Sequence, residues 1–466
     1  MPELVFGPTF EEMLYPDRIA PAVRKRALEA ATAAPLDPIN LYNITWKAPD
    51  GKVRMLVLPP ELTGVDTPIV VLVGKHFPTG SHKVGATYSV TMEKQIHDEI
   101  EPGRDTLIFP STGNYGIGGA WVGTRLGYQS LVLLPEQMSK ERFEKIRSYG
   151  ADYIATVGCE SNVKEIYDKC NELAAQSPRN KVLNQFEVMG NYRFHWYVTG
   201  NSALEALQQL ANVGIGDGRA AAFVSAMGSA GTIAAGDRLK QHNPDCKIVG
   251  LEPIQCPTLY NNGYGDHDIQ GIGDKHVTWI HNVRNMDAMI AIDDISCKLG
   301  LQVLSDDVGI AYLAEELGIG QDALAAMQGT FGISGVCNIL GAIKAAKHYG
   351  FDKKSAVVTV ATDSLDRYYS VMADLDATYG PLTKAEAHAR VRSIFHGAGL
   401  DWIQDGTPHA RDRWHNLKYY TWVEQQGKSV AQLNAQKSPE FWLAEQEQVQ
   451  EFDRLLRNKR GSAVLA

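Results

Sequence analysis

The sequence predicts an α/β fold in which mainly parallel sheets are flanked by helices, followed by a helical C-terminal extension. From about residue 68, short apolar runs alternate with Gly-rich turns and segments of helical periodicity. The runs are almost continuously apolar, as expected of parallel strands that are buried on both faces. After about residue 375 these runs stop, and Trp-rich segments of helical periodicity follow. Strand–helix alternation of this length indicates parallel sheets covered by helices on both faces.

Seven apolar runs are the predicted strands. They are Ile69–Val73, Thr106–Phe109, Ser130–Leu134, Tyr153–Val157, Ala221–Met227, Lys247–Leu251 and Ala356–Thr362. The predicted helices between them cover residues 115–127, 139–149, 160–176, 231–241, 305–316 and 333–349. No strand is predicted after residue 375.

The chain is long enough for more than one lobe. We expect an N-terminal arm over 1–65 that joins a large lobe, and a small α/β lobe over 85–190. The large lobe would combine residues 66–84 with 191–372, and the helical extension would cover 373–466. The aromatic residues of the extension are interpreted as packing surface or an oligomer contact rather than as catalytic groups.

Composition and charge restrict the classes of function. The chain has 466 residues, of which 44% are hydrophobic, and a formal net charge of −9. This charge disfavours a nucleic-acid scaffold, although a local nest of amides could still bind an anion. No apolar run is long enough to cross a bilayer, the N-terminus lacks the pattern of a secretion signal, and the six cysteines include no CxxC pair. We therefore expect a cytoplasmic protein with buried free thiols, without a metal site and without membrane contact.

The segment KHFPTGSHKVGATYS, residues 75–89, places a lysine at a helix start. A strand ends near Val73, a turn containing Pro78 and Gly80 follows, and Lys83 begins the helix. The positive end of the helix dipole lowers the pKa of an amine, and a neutral amine can form an imine with an aldehyde cofactor. Taken alone, this lysine could also be a solvated surface residue.

A second segment, FPSTGNYG at 109–116, collects polar groups where a strand ends. Ser111, Thr112 and Asn114 lie beside the unpaired N–H groups of a helix start. Ligands bind at the carboxyl ends of strands in open α/β sheets, and such a turn suits a substrate carboxylate. The alternative is a well-capped helix in which glycines serve tight packing.

Two further turns also follow strands directly. The turn at 228–232, with the sequence GSAGT, could surround a phosphate dianion with N–H groups and two hydroxyls. It lacks the lysine of a nucleotide-binding P-loop and the spacing of a dinucleotide fingerprint. The last predicted strand delivers Thr362, Asp363 and Ser364 at its carboxyl end, where polar side chains can reach a bound ring.

Individually these segments are weak signals, but their order and spacing resemble the fold-type II pyridoxal-phosphate enzymes, especially cysteine synthase and cystathionine β-synthase. The resemblance covers about residues 65–370. It includes NQFEVMGNYRFHWYVTGNSALEAL at 184–207, LEPIQCPTLYNNGYGDHDIQGIGDKHV at 251–277 and GISG at 332–335. It implies two open, twisted, mainly parallel sheets, pyridoxal 5′-phosphate as cofactor, a small amino acid as substrate and a homodimer.

The resemblance also implies roles for individual residues. Lys83 would carry the cofactor as an imine, Asn114 would bond the ring hydroxyl and Ser364 would face the pyridine nitrogen. The residues implied to bind the phosphate are Gly228, Ser229, Ala230, Gly231 and Thr232. The residues implied to bind or line the substrate are Ser111, Thr112, Tyr115, Gln185 and Gly271.

Several positions depart from the family pattern. Asp363 is adjacent to Ser364, and a carboxylate at the pyridine nitrogen would keep the ring protonated and widen the range of reactions. His82 resembles the tryptophan synthase β-subunit, in which the position of Pro110 holds a catalytic Glu. Tyr115 replaces a small hydroxyl residue of cysteine synthases, and Ala230 replaces a glycine of the phosphate turn.

The reaction expected from the resemblance is β-elimination or β-replacement on serine, O-activated serine or cysteine, through an aminoacrylate. A Ser/Thr dehydratase or an amino-acid racemase is the alternative on the same fold. A non-catalytic binding protein that keeps the fold is a second alternative, which the joint presence of Lys83, Asn114 and the phosphate turn disfavours. A nicotinamide dehydrogenase is disfavoured because the glycine fingerprint of a first βα unit is missing.

Overall fold

The computed structural model describes residues 5–111, 113–159 and 161–464. Within these ranges, no helix combines the length and the apolar character needed to span a bilayer.

The described residues form two β-sheets. The strands are β1 Met55–Val57, β2 Ile69–Val73, β3 Thr106–Pro110, β4 Gln129–Pro135, β5 Asp152–Thr156, β6 Asn180–Val182, β7 Ala220–Ala226, β8 Lys247–Pro253, β9 Ala288–Ile292, β10 Ala356–Ala361 and β11 Ile403–Asp405. The larger sheet has seven strands in the order β1-β2-β10-β7-β8-β9-β11, and the smaller has four in the order β5-β4-β3-β6. All neighbours pair in parallel except the two edges, where β1 with β2 and β11 with β9 are antiparallel. The predicted α/β class with mainly parallel sheets is therefore confirmed.

Helices connect and cover the strands. They are α1 Phe10–Leu14, α2 Pro21–Ala33, α3 Pro60–Thr63, α4 Lys83–Ile96, α5 Asn114–Arg125, α6 Lys140–Ser148, α7 Val163–Gln176, α8 Gly190–Phe194, α9 Gly200–Ala211, α10 Ala234–His242, α11 Thr258–Asn261, α12 Asp294–Ser305, α13 Asp307–Leu317, α14 Gln321–Met327, α15 Ile333–Tyr349, α16 Tyr369–Tyr379, α17 Lys384–Arg390, α18 Pro408–Asn416, α19 Val430–Ala435 and α20 Pro439–Val464. A π-helical turn at 195–199 joins α8 to α9.

All seven predicted strands are present, but four short ones were not predicted. β1, β6 and β11 have three residues each, too few for a periodic signal, and the sequence of β9, AMIAI, is rich in residues that do not favour strands. The expectation that no strand follows residue 375 is wrong, because β11 pairs with β9 at the edge of the larger sheet. This pairing depends on backbone hydrogen bonds and tertiary contacts, which the side-chain pattern of a three-residue strand does not reveal.

The Trp-rich extension packs on the rest of the chain. Trp414, Trp422 and Trp442 are almost completely buried. The long helix α20 crosses α4 and α8 and reaches the N-terminal arm, where the carboxylate of Asp453 accepts hydrogen bonds from the backbone N–H groups of Phe10 (2.7 Å) and Glu11 (3.0 Å). The predicted packing role of these aromatics is confirmed within the single chain.

Four connections bring the polar segments together. β2 leads to the lysine turn and α4, β3 to α5, β7 to the glycine turn before α10, and β10 to residues 362–364. In the larger sheet, β2, β10 and β7 are parallel neighbours, so their carboxyl ends lie at the same edge, where ligands bind in such folds.

Candidate active site

Lys83 lies at this edge of the larger sheet. It is the first residue of α4, as predicted, and only 8% of it is exposed. Its Nζ donates to the hydroxyl oxygen of Ser229 over 2.8 Å, and the side-chain amide of Asn191 donates to the same oxygen over 3.0 Å. The lysine turn and the glycine turn, 145 residues or more apart in the sequence, thus belong to one cleft.

The glycine turn at 228–232 is shaped to receive an acceptor-rich group. None of its backbone N–H groups donates a hydrogen bond to another described residue, although the turn is largely buried. Ala230 has a φ of +58°, which turns the chain back on itself as in an anion-binding nest. A side chain at Gly231 would collide with the amide of Asn191. Unpaired buried N–H groups are rare without a ligand, so this turn fits a phosphate.

His82 connects the last residue of the glycine turn to the segment that follows β10. Its Nε2 lies 2.9 Å from the Thr232 hydroxyl, and its Nδ1 lies 3.3 Å from the carbonyl oxygen of Thr362. Because a carbonyl oxygen only accepts, Nδ1 carries the proton and Nε2 accepts from the hydroxyl. Burial, together with the positive charge of Lys83, lowers the pKa of His82 to about 3, so the ring is neutral.

Asn114 and Asp363 meet across the cleft. The amide of Asn114 donates to Oδ2 of Asp363 over 2.6 Å, and its own Oδ1 is buried without a hydrogen bond to any described residue. A Cβ on Gly271 would lie 3.8 Å from the Asn114 amide nitrogen. The hydroxyl of Ser364 instead donates to Asp366 over 2.7 Å. Of the two neighbours at the end of β10, it is therefore Asp363 that is directed at Asn114.

The loop between β3 and α5 is held by hydrogen bonds of two side chains, those of Ser111 and Gln185. The hydroxyl of Ser111 accepts from the N–H groups of Gly113 (2.9 Å) and Gly116 (2.7 Å), which caps the start of α5. The amide of Gln185 donates to the carbonyl oxygen of Pro110 over 3.3 Å and so reaches the same loop. Thr112 lies outside the described residues.

Tyr115 points away from this group. Its ring packs edge-on against Phe109, its hydroxyl donates to the carbonyl oxygen of Leu183 over 3.0 Å, and burial raises its pKa. The structure therefore does not bring this hydroxyl to the cleft.

Sequence reasoning missed Asn191 and Asp274 as members of the site. Asn191 contacts Ser229 and Gly231 from α8, and its only signal was its place in the segment 184–207. Asp274 lies three residues after Gly271 and is buried close to Gly228. A carboxylate in a glycine-rich loop carries no periodic signal, so only the folded chain reveals its position.

Comparison with known proteins agrees with this geometry. Residues 58–363, about two thirds of the chain, match the family described as "Pyridoxal-phosphate dependent enzyme". The chain belongs to this family. The predicted cofactor, pyridoxal 5′-phosphate, is thereby confirmed, and Lys83 together with the glycine turn fits its aldehyde and its phosphate.

Two curated relatives and one solved structure show which members of this family the chain resembles. The chain is 32% identical to a cysteine synthase of Staphylococcus aureus (strain Mu50) over 295 residues, which cover 63% of the chain and 84% of the relative. It is 30% identical to cysteine synthase B of Campylobacter jejuni over 320 residues, covering 66% of the chain and 96% of the relative. The crystal structure of a cysteine synthase from Entamoeba histolytica superimposes with a TM-score of 0.58 at 23% identity, covering 73% of the chain and 92% of that structure. This last similarity concerns the fold.

Proposed function

We propose that this pyridoxal-phosphate enzyme catalyses β-replacement on an O-activated serine, with β-elimination as the partial reaction. The observation that carries the proposal is the 2.8 Å contact between Nζ of Lys83 and the hydroxyl of Ser229. This contact supports the proposal, because an amine beside a turn that fits a phosphate could form an imine with the aldehyde of the cofactor. The similarity to cysteine synthases supports the choice of substrate.

Different side chains would serve different steps of the reaction. The bound cofactor supplies an electron sink for the substrate. Lys83 would hold the cofactor and, once released by the substrate amine, would remove the proton from Cα. Ser111, Thr112 and Gln185 would hold the substrate carboxylate, and Asn114 the ring hydroxyl. The β-substituent then leaves with its bonding electron pair, and a nucleophile takes its place.

Racemisation is a second candidate because of one observation. Asp363, rather than Ser364, is directed towards Asn114. A carboxylate of Asp363 at the pyridine nitrogen would hold a proton there, and return of a proton to the opposite face of Cα would then compete with loss of the β-group. Incubation with L-serine and chiral analysis of the products separates D-serine from pyruvate.

Borohydride reduction followed by peptide mass analysis tests the cofactor link. We expect the mass of the reduced cofactor on the peptide that contains Lys83 and its loss in Lys83→Ala. Lys75→Ala is the matched control, because Lys75 is a half-buried lysine near the same turn whose Nζ donates to Thr330 instead.

Incubation of the enzyme with O-acetylserine and either sulfide or a thiol, followed by mass analysis of the products, tests the reaction. An unmodified Lys83 peptide, or no β-substituted product from any O-activated serine, would contradict the proposal.

We also propose a homodimer and a cytoplasmic location. The similarity to cysteine synthases supports the first, and light scattering after size exclusion tests it. All six cysteines are free and buried, as predicted, which agrees with a reducing compartment.

A further inference from the structure

Asp274 is a buried carboxylate that the fold leaves without donors. It is 5% exposed, and neither of its side-chain oxygens accepts a hydrogen bond from the residues that the structure describes. Its backbone is nevertheless fixed, since the hydroxyl of Thr258 donates to its carbonyl oxygen over 2.9 Å. Burying a polar group without partners costs free energy, and each such group in a native fold calls for an explanation.

The carboxylate lies against the glycine turn. A Cβ placed on Gly228 would be 3.7 Å from Oδ2 of Asp274 and 3.1 Å from the carbonyl oxygen of Gly271. The loop that carries Asp274 therefore packs directly on the turn that fits the phosphate. Burial raises the pKa of Asp274 to about 7, while the charge of Lys83 acts in the opposite direction, so the two groups share one electrostatic environment.

A small cavity borders this carboxylate. Its volume is about 20 Å³, enough for one water molecule. Besides Asp274, its lining includes Gly228, Thr258 and His276. The ring of His276 is neutral, because burial lowers its pKa to about 3. Because both carboxylate oxygens lack hydrogen-bond donors among the described residues, they favour a ligand that brings its own donor.

We propose that Asp274 is a second acid–base residue of this cleft and accepts the proton of an uncharged nucleophile that attacks Cβ. The inference rests on the proposed β-replacement. The bond between the nucleophile's heteroatom and its hydrogen breaks as the bond from that heteroatom to Cβ forms, and the proton passes to a carboxylate oxygen of Asp274. The carboxyl group later releases this proton to solvent, which balances the carboxylate anion lost from the O-activated serine.

This assignment defines the class of the second substrate. A thiol, an alcohol, an uncharged amine or water can donate a hydrogen bond to Asp274 and then lose its proton. An anionic nucleophile such as hydrosulfide gains nothing from a base and is repelled by a carboxylate in a site of low dielectric. A base whose pKa is close to the working pH is suited to this task.

The first test compares two half-reactions of the holoenzyme and of Asp274→Asn. With O-acetyl-L-serine alone, we expect acetate release in the first turnover to change by less than about threefold, because Lys83 acts at Cα. With 2-mercaptoethanol as nucleophile, product formation should fall by about 100-fold or more, the scale of a lost general base. With sulfide, which is largely anionic at pH 8, the rate should stay the same or rise, because the charge that repels hydrosulfide is removed.

Glu252→Gln is the matched control. Glu252 is also a buried carboxylate with a raised pKa that borders the same cavity, but its two oxygens accept from the backbone N–H groups of Leu259 (3.0 Å) and Tyr260 (2.8 Å). It should keep the thiol-to-sulfide ratio of the wild type. Asp274→Ser replaces Asp274→Asn if the latter fails to release acetate.

Infrared difference spectroscopy gives a readout that does not depend on turnover. We expect a carboxyl band that titrates near pH 7 and shifts when 2-mercaptoethanol is added, that is lost in Asp274→Asn and that is retained in Glu252→Gln. A purely structural carboxyl group would not respond to the thiol.

The outcomes separate the two proposals. Absence of acetate release from the wild type would overturn both the β-replacement and the role of Asp274. Normal acetate release, with an unchanged thiol-to-sulfide ratio in the Asp274 variants or a band that ignores the thiol, would overturn the role of Asp274 alone.

Discussion

The hydroxyl of Thr278 donates a 2.9 Å hydrogen bond to the carbonyl oxygen of Ser229 and so ties the segment 277–281 to the glycine turn. The C-terminal extension holds this segment from the other side. Trp422 donates from Nε1 to the carbonyl oxygen of Val277 over 2.8 Å, and Lys418 reaches two further carbonyls of the segment. The extension therefore contacts the segment that is bonded to the glycine turn.

Lys418→Met tests this connection. The buried Nζ of Lys418 donates to the carbonyl oxygens of Trp279 (3.0 Å) and His281 (2.6 Å) and to the side chain of Gln436 (2.6 Å). Its removal takes one donor from each of three buried acceptors, of which the carbonyl oxygens of Trp279 and His281 keep a second donor from Gln436 and Val283. We therefore expect the free energy of unfolding to fall by about 1–3 kcal/mol. Urea denaturation measures this change. The control is Lys437→Met, a substitution at an exposed lysine of the extension. Equal stability of the two variants would show that the hydrogen bonds of Lys418 do not stabilise the fold.

Tyr368→Phe tests a link between the two sheets. The hydroxyl of Tyr368 donates to Oδ2 of Asp363 over 2.8 Å and accepts from the guanidinium of Arg142 over 2.9 Å. Arg142 lies on α6 beside the smaller sheet, whereas Asp363 follows β10 of the larger one. We expect the loss of this hydroxyl to lower the free energy of unfolding by about 1–3 kcal/mol. Tyr369→Phe, at a tyrosine that is 60% exposed, should change it by less than about 0.5 kcal/mol.

Much of the fold was predictable because several of its strands are buried on both faces. Runs such as Ile69–Val73 and Ala356–Ala361 are apolar throughout and stand between Gly-rich turns, so local composition is sufficient. β11 was not predictable, since its pairing with β9 depends on where the extension folds back. β9 was missed because its alanine and methionine residues do not favour strands. The position of Lys83 at a helix start followed from the turn before it, and the structure confirms it.

The rest of the site required the folded chain. The direction of Asp363 rather than Ser364 towards Asn114 depends on the backbone at the end of β10, where one residue of displacement changes the direction of a side chain. Tyr115 was expected near the substrate from its place in the loop, but the first turn of α5 directs it into the core. Asn191 and Asp274 approach the cleft from distant segments, and spacing along the sequence does not report such contacts.

His82→Ala should weaken cofactor binding. The neutral ring of His82 accepts from the Thr232 hydroxyl and thereby orients the last residue of the glycine turn. Loss of one buried hydrogen bond of about 1.4 kcal/mol corresponds to a tenfold rise in the Kd of pyridoxal phosphate. Titration of the apoenzyme, followed by absorbance, measures this constant. The pKa of about 3 predicts no inflection from His82 between pH 5 and 8. His76→Ala, at an exposed histidine of the preceding turn, should leave the Kd unchanged, and a similar loss in both variants would contradict the assignment.

Glu252 makes the stability of the fold depend on pH. Burial raises its pKa from 4.5 to about 8, although the backbone N–H groups of Leu259 and Tyr260 oppose this rise. Between these two pH values the unfolded chain has lost the proton and the folded chain still holds it, so the folded state binds more protons. The free energy of unfolding must then decrease as pH rises from about 4.5 to 8 and level off above that range. Because a tenfold difference in proton affinity between the folded and the unfolded chain corresponds to about 1.4 kcal/mol, the decrease should amount to a few kcal/mol. Urea denaturation of the wild type and of Glu252→Gln at pH 5, 6.5 and 8 measures it as the difference between the two proteins. A difference that is constant across the three pH values would show that Glu252 is ionised throughout this range.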